Sequence, residues 1–562
     1  MNRYFTERCI LVRIARSVST SVIGWNQRSE KVIQLLSRGV LSCLLFACLC
    51  VLPGCYFQNA VGQVEIVPTP EPDKKATPEV IPTPDGIAER IAKNTPDKKP
   101  VDYDSWPKPD VALFITGQQN GYIEPCGCTG LDKQKGGVAR RMTMMKELQQ
   151  KGWDLLPIDS GNQIRRSVPQ ASIKLSWSSE ALKQMKYEAV GFGPDDMRLR
   201  ELDLLQVAMA DSPESATFVS GNVVLIDPDA MPSFKVVTRG KFKIGITTIL
   251  DPAAIKNQLS EDVTISAPVE AAQKSLDKMN AAGANYRVLA FFGVDESNEE
   301  DAVELIKKVK GYDLVVVSGS HGEPTYQPAR IEGTKTDMIL TGYKGMYVGL
   351  VGLYDGRPMR YARVALTDKF SDAKEMRQLM GEYQEQLKQL GLDGLGLEPI
   401  PHSSGQEFVG SKSCKKCHEL AYDIWESSDH FLATKHIVEP TQDRGDVARH
   451  FDPECLSCHV TGWIPQNYHP YESGFLALES GAHLTGNGCE NCHGPGKKHV
   501  EVETQGSGAS DAEKAKWRKE MDLPIDKARD HCMKCHDLDN SPEFGEPGAF
   551  EDIYWPEIEH NE

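Results

Sequence analysis

The chain has 562 residues, 40% of them hydrophobic and 25% charged, enough for two or three soluble domains with cores of their own. Acidic residues outnumber basic ones 80 to 63, a formal charge of −17. That balance argues against nucleic acid as a partner, because phosphate neutralisation needs clustered cations.

The first segment reads as an export signal. Arg28, Lys31 and Arg38 precede the apolar run "GVLSCLLFACLCVLPG" over 39–54. Such a run is short for a membrane span, which takes roughly 20 residues, and suits the apolar part of a signal peptide. It ends in "LPGC", whose last residue is Cys55. A small residue directly before Cys resembles a bacterial lipobox, although Pro53 is unusual at its position. The expectation is a signal segment over 1–55, cleavage before Cys55, and a lipid on that cysteine as the membrane attachment. An uncleaved anchor is the alternative. Either way the body of the protein sits outside the cytoplasm, periplasmic or otherwise extracytoplasmic.

Residues 56–108 contain "VPTPEPDKKATPEVIPTPDG" and "TPDKKPVDYDSWPKP", a Pro-rich, charged composition expected to form an extended tether. From Asp110 short apolar runs alternate with helical patterns. "DVALFIT", "DLLPIDSG", "TFVSGNVVLI", "YRVLAFFG" and "DLVVVSG" read as strands. "VARRMTMMKELQQ", "SSEALKQMKYE", "EAAQKSLDKMNAAG" and "EDAVELIKKVKG" read as helices. This predicts an α/β domain over 109–366 with a parallel or mixed sheet. "DMILTGYKGMYVGLVGLYD" and "MRYARVAL" look like its closing antiparallel strands. Residues 371–391 predict one long amphipathic helix, a spacer within 367–404. From 405 to 562 strands are hard to find and Gly, Pro, Cys and His are frequent. A mainly α, loop-rich domain with so thin an apolar core needs cohesion from a metal or covalent cofactor.

The 15 cysteines are clustered. Eight form four CxxCH motifs: Cys414, Cys417 and His418; Cys455, Cys458 and His459; Cys489, Cys492 and His493; Cys532, Cys535 and His536. Composition predicts roughly 0.01 such motif by chance, so four indicate chemistry. Two thiols three residues apart can form thioethers with the two vinyl groups of one haem, and the adjacent His presents an imidazole to its iron. Zinc sites also use CxxC but do not require the following His each time. A redox CxxC would occur once, in a βαβ context. The reading is four covalent c-type haems, hence redox proteins as partners. The remaining histidines of the segment, His430, His436, His450, His469, His483, His499, His531 and His560, are candidates for sixth ligands. His430 lies twelve residues after His418, about 18 Å along a helix, so it is expected to serve a neighbouring iron.

The stretches "FVGSKSCKKCHELAYDIWESSDHFLATKHI", "CLSCHVTG", "GCENCHGPGKKHV" and "CMKCHDLDNSPEF…YWPEIEH" resemble the cytochrome c-554 family of tetrahaem c-type cytochromes over roughly 408–560. The resemblance implies closely packed, mostly bis-His haems that transfer electrons. It places His430, His499 and His560 at distal-ligand positions, and makes the haem on Cys455, Cys458 and His459 the candidate for an open iron. An enzyme acting there on a small nitrogen or oxygen species is the alternative function.

"FITGQQNGYIEPCGC…GGVARRMTMM", "LLPIDSGN", "VGFGPDD", "FVSGNVV" and "VSGSHGE" resemble landmarks of the 5′-nucleotidase-type metallophosphoesterase domain, a metal-binding α/β sandwich. The ligand positions depart from that pattern. Gln118 and Asn120 stand where Asp and His are expected, Asn162 replaces an Asp, the GNHE-type motif reads Gly193–Pro194–Asp195–Asp196, and only His321 remains of the late His motif. Neutral amides do not assemble a bridged dimetal centre. The expectation is a retained scaffold, with nucleotide hydrolysis as the alternative it opposes. Cys126 and Cys128 in "EPCGC" are left with three readings: a tight-ring disulfide, a thiolate pair for a metal or cofactor, or a structural loop.

Overall fold

The structure is a computed structural model and describes residues 101–126, 134–165, 168–440, 446–537 and 540–560. The signal segment, Cys55, most of the tether and Cys128 lie outside the described residues. Among the described residues no helix is long and apolar enough to cross a membrane.

The strands of the α/β body, in chain order, are β1 (Val111–Thr116), β2 (Pro125–Cys126), β3 (Lys135–Gly136), β4 (Leu155–Asp159), β5 (Ala189–Val190), β6 (Val223–Leu225), β7 (Lys235–Arg239), β8 (Phe242–Leu250), β9 (Val263–Ile265), β10 (Tyr286–Phe292), β11 (Leu314–Ser318), β12 (Ala329–Arg330), β13 (Asp337–Leu340), β14 (Tyr347–Tyr354) and β15 (Arg357–Ala365). One mixed sheet has the order β15-β14-β1-β4-β5 and a second β12-β13-β11-β10-β8-β7. They stack face to face. Side chains alternate along a strand, so Val111, Leu113 and Ile115 of β1 meet Ile244, Ile246, Val288 and Val316 of the other sheet. The opposite faces are buried as well. Ala112 and Phe114 pack under α1 (Val138–Gln150) and α2 (Ala171–Gln184). Leu289, Phe291, Val315 and Val317 pack under α4 (Pro268–Ala281) and α5 (Asn298–Lys308), α3 (Glu201–Ala208) lying between in sequence. Burial on both faces is why these strands read as continuous apolar runs.

Three expectations change. Asp337–Leu340 is not a closing antiparallel strand but pairs in parallel with β11, whereas β14 and β15 do pair antiparallel. In "TFVSGNVVLI" only β6 is a strand, and it pairs with β9 outside the two large sheets. The end of the expected tether is packed: Tyr103 and Trp106 are buried, and Trp106 stacks on Trp153 with ring centroids 6.2 Å apart.

The long helix α6 (Lys374–Gly394) breaks helical geometry at Gly391. It is no bare spacer, because Met376, Leu379, Met380, Tyr383 and Leu387 are buried in the same core as α1 and α2. The C-terminal part then runs through α7 (Glu419–Ser427), α8 (Asp429–Val438), α9 (Pro453–His459), α10 (Cys489–His493), α11 (Lys497–Glu503), α12 (Asp511–Glu520) and α13 (Ile525–Cys532). Its largest apolar cluster holds only seven buried residues, among them Phe408, Leu456, Trp463 and Phe475.

Candidate functional site

Each CxxCH lies on a helical turn, where positions i, i+3 and i+4 share a face. In α9 and α10 the whole motif is helical. In the other two a single turn does the same work: the His418 N–H donates to Cys414 O at 3.0 Å and the His536 N–H to Cys532 O at 2.8 Å. The motifs also approach one another. Cys414 lies within hydrogen-bond reach of Cys489, Cys458 of Cys535, and Cys492 interacts electrostatically with Cys532.

The three histidines expected as distal ligands each face a motif histidine. Ring centroids are 6.2 Å apart for His418 and His499, 6.0 Å for His430 and His536, and 5.8 Å for His493 and His560. Two metal–nitrogen bonds of about 2 Å each, plus the half-widths of two imidazoles, account for such a spacing. His430 escapes its own motif because the chain breaks at Ser428 between α7 and α8. Of the other histidines, His531 Nε2 donates to Asn491 O at 2.8 Å, His469 Nε2 donates to Glu398 O at 2.6 Å, His450 packs on Phe451, and His436 and His483 are exposed.

Hydrogen bonds orient the motif imidazoles. His459 Nδ1 meets Ala433 O at 2.8 Å and His493 Nδ1 meets Met521 O at 2.7 Å. A carbonyl only accepts, so Nδ1 carries the proton and Nε2 the lone pair, the arrangement metal-bound histidines use. His560 Nδ1 is held likewise by Ile558 O at 2.8 Å, and His536 Nδ1 lies 3.0 Å from Ser541 Oγ. Burial lowers the pKa of His430, His493 and His499; burial and the neighbouring His430 push His536 down to about 4, so the neutral, ligating form prevails. His499 Nδ1 is buried without a hydrogen-bond partner. Among the described residues no three of His, Cys, Asp and Glu come together as a metal-ion site. Paired thiols, paired imidazoles and an orphaned ring nitrogen fit covalent haem and not tetrahedral zinc.

Glu490, inside the third motif, has a structural role that the motif's spacing does not announce. Its carboxylate accepts N–H bonds from Val409 at 2.9 Å, Gly410 at 2.7 Å and Gly496 at 2.7 Å, fixing α10 to two chain segments. Burial nonetheless raises its pKa, the three N–H groups opposing.

A second unforeseen feature is the polar seam between α9 and the α/β body. Lys174 of α2 pairs with Glu454, Gln170 Nε2 donates to Asp452 Oδ1 at 3.1 Å, and Arg449 pairs with Glu124. Asp452 also caps α9, accepting from Glu454 N at 3.0 Å. Burial opposes the charge of Lys174, but Glu454 and Asp452 outweigh it and hold its pKa above the ordinary lysine range.

The loops bearing Gln118, Asn120 and Asn162 are closed on themselves. Asn162 Nδ2 donates to Asn120 Oδ1 at 2.8 Å and to Asp195 Oδ2 at 3.0 Å. Gln118 Nε2 donates to Gly342 O at 3.1 Å. Asp196 accepts backbone N–H bonds from Asn162 and Gly193, both at 2.9 Å; burial still raises its pKa to about 7. Gln118, Asn120 and Asn162 keep positive φ values of 52°, 51° and 63°, a backbone shape concentrated at functional sites. His321 is exposed, with Nδ1 2.7 Å from Asp295 Oδ2. The backbone of Cys126 pairs with Lys135 in the short β2–β3 ladder.

Residues 413–494 match the family described as "Cytochrome c554 and c-prime". That stretch is therefore similar to a family of c-type cytochromes and contains the first three CxxCH motifs. It is similar to cytochrome c-554 of Nitrosomonas europaea, 29% identical over 98 residues, covering 16% of this chain and 39% of that one. The α/β body resembles 5′-nucleotidase-type metallophosphoesterases: snake venom 5′-nucleotidase of Crotalus adamanteus is 24% identical over 208 residues, covering 34% of this chain and 33% of that one. Among solved structures, the sulfate thiohydrolase SoxB of Thermus thermophilus aligns with a TM-score of 0.43 at 15% identity, over 51% of this chain and 62% of that one. The chain therefore matches only about a third to two fifths of its sequence relatives' length.

Proposed function

We propose that the protein is an exported tetrahaem cytochrome, tethered to a membrane through lipid on Cys55 and passing electrons between redox proteins. Its segments are a signal over 1–55, a tether over 56–108, a scaffold domain over 109–366, a helical connection over 367–404 and the haem domain over 405–562. The observation that carries this reading is the recurrence of a 5.8–6.2 Å imidazole pair at His418–His499, His430–His536 and His493–His560.

Covalent haem supplies an iron that cycles between two oxidation states by one electron. The chain supplies the rest. Cys414 and Cys417, Cys455 and Cys458, Cys489 and Cys492, and Cys532 and Cys535 hold the four groups. His418, His459, His493 and His536 would be the proximal ligands, and Nδ1 partners orient His459, His493 and His536 for that role. The electrostatic interactions among the thiols link the motifs in the order 414, 489, 532, 455, which differs from their order in sequence. The three distal histidines face His418, His493 and His536, which supports an open iron at the far end of that order, beside His459. Such an iron would let the protein act on a small nitrogen or oxygen species. A cavity of about 800 Å³ is lined by Cys455, Cys458 and His459 and equally by His430, Cys532, Cys535 and His536, room for the groups these residues would hold.

Intact-mass measurement after acid–acetone extraction tests the count: four haem masses retained on the polypeptide are expected, and fewer would overturn the tetrahaem reading.

A further inference from the structure

The third CxxCH motif differs from the others in what lies between its cysteines. Lys415 and Lys416 fill the first, Leu456 and Ser457 the second, and Met533 and Lys534 the fourth; only the third holds an acid, Glu490. That side chain is 1% exposed. Its two oxygens accept from the N–H of Val409 at 2.9 and 3.0 Å, of Gly410 at 2.7 Å and of Gly496 at 2.7 Å. Among the described residues no lysine or arginine pairs with it. Lys497, which follows Gly496, pairs with Glu407 at 2.6 Å instead.

We propose that Glu490 is a redox-tuning residue, a fixed buried anion that lowers the reduction potential of the haem on Cys489 and Cys492 and, more weakly, that of the haem on Cys414 and Cys417. The inference rests on the tetrahaem reading above and adds a residue that makes the haem potentials unequal.

Three observations carry it. First, the site is built for the anion. Every partner of the carboxylate is a backbone N–H, which only donates, so a proton on either oxygen would have to displace one of these bonds. Hydrogen bonds to the charged form favour it, against the burial that opposes it. Second, a carboxylate taken out of water is costly unless a positive charge lies near, and the four motifs bring no cation to this one. An oxidised haem held on the same turn supplies that charge, and reduction removes it, so the anion favours the oxidised form. Third, the field of Glu490 reaches two motifs. It opposes a negative charge on the Cys489 sulfur of its own turn and on the Cys414 sulfur of the first, and the same sign of interaction opposes an added electron. The interior strengthens such interactions over what water allows.

The test uses full-length holoprotein and redox titration followed by haem absorbance, with electron-paramagnetic spectra to tell the haems apart. Glu490→Gln keeps the shape and a carbonyl acceptor and removes the charge. It should raise the potential of the haem on Cys489 and Cys492 by about 59 mV, an about tenfold change in its oxidised-to-reduced ratio for one electron. The haem on Cys414 and Cys417 should rise less, and the other two should stay. Glu490→Asp keeps the charge and shortens the reach, so it should lose stability while both potentials remain near wild type. A carboxylate with a structural role alone gives potentials that follow stability in both variants. Unchanged potentials in Glu490→Gln, or equal shifts in the two variants, overturn the proposal. If neither variant loads its haems, the wild-type protein decides. Its haem on Cys489 and Cys492 should titrate below that on Cys532 and Cys535, whose turn carries Lys534, and the reverse order overturns the tuning. A missing haem mass on another motif overturns the tetrahaem reading and leaves this inference standing, whereas an unloaded third turn overturns both.

Discussion

The Tyr383 hydroxyl donates to Asp452 Oδ2 at 3.0 Å, and through that bond α6 holds the N-cap of the helix bearing Cys455, Cys458 and His459. The same carboxylate accepts from Gln170 on its other oxygen. The connection between the two parts of the molecule is therefore a fixed joint, built on the first residues of the second CxxCH turn.

Lys174→Met should expose the strength of that joint. Its side chain is only 5% exposed, and removing it leaves Glu454 and the buried Asp452 without their cation. Breaking such a pair from one side costs about 3 kcal/mol or more. Thermal unfolding followed by near-ultraviolet circular dichroism and by haem absorbance should show an earlier transition in both signals. Coincident wild-type and variant curves would contradict the joint.

Replacing His430, His499 or His560 by Ala, one at a time, should convert one low-spin haem to high-spin while the other haems keep their signals, because spin state follows each iron's own axial ligands. Electron-paramagnetic spectra check this directly. For His560→Ala the affected haem should be the one on Cys489 and Cys492, since His560 faces His493. An unchanged spectrum would remove His560 from the ligand set.

Glu490→Ala should destabilise the haem domain beyond what a surface substitution does. Three backbone N–H groups lose a charged acceptor, and one hydrogen bond to a charged group is worth roughly 1.5–3 kcal/mol. Chemical denaturation monitored by haem absorbance should show a lower midpoint, with Glu490→Gln intermediate because its carbonyl still accepts.

Nucleotide hydrolysis should be absent at enzymatic rates, about 1–10³ s⁻¹, with AMP and added Mn²⁺ or Zn²⁺. The reason is that Gln118, Asn120 and Asn162 are neutral amides, and that Asn162 engages both Asn120 and the one nearby carboxylate of that network, Asp195. Metal-dependent turnover in that range would contradict it.

The four CxxCH motifs could be read directly because their chemistry needs fixed short spacings, and a helical turn enforces the same geometry wherever it falls. The pairing of His430 with His536 was legible only in part. The distance argument excluded His418 as its partner, but choosing among the other irons needs the break at Ser428 and the fold around it. The seam of Lys174, Glu454, Asp452 and Arg449 left no mark in sequence, since its partners across the two parts lie 280 or more residues apart and charged residues look like surface until something covers them. The helix 374–394 misled for a related reason: amphipathic periodicity reports that one face is buried, not what buries it. Tyr103 and Trp106 were hidden by their Pro-rich neighbours.

The seam also bears on assembly. Domains generally complete themselves from the N-terminal side during synthesis, and the α/β body precedes the haem segment in the chain. The surface formed by Gln170, Lys174 and Glu124 is finished before Asp452 and Cys455 emerge to meet it. The second motif thus has a template waiting, whereas the first must find Cys489 and His499, which arrive later. On the proposed reading, in which the chain is exported N-terminus first, cofactor loading at the Cys455 turn would accompany docking on an already folded neighbour, and the two-part chain would act as its own assembly jig.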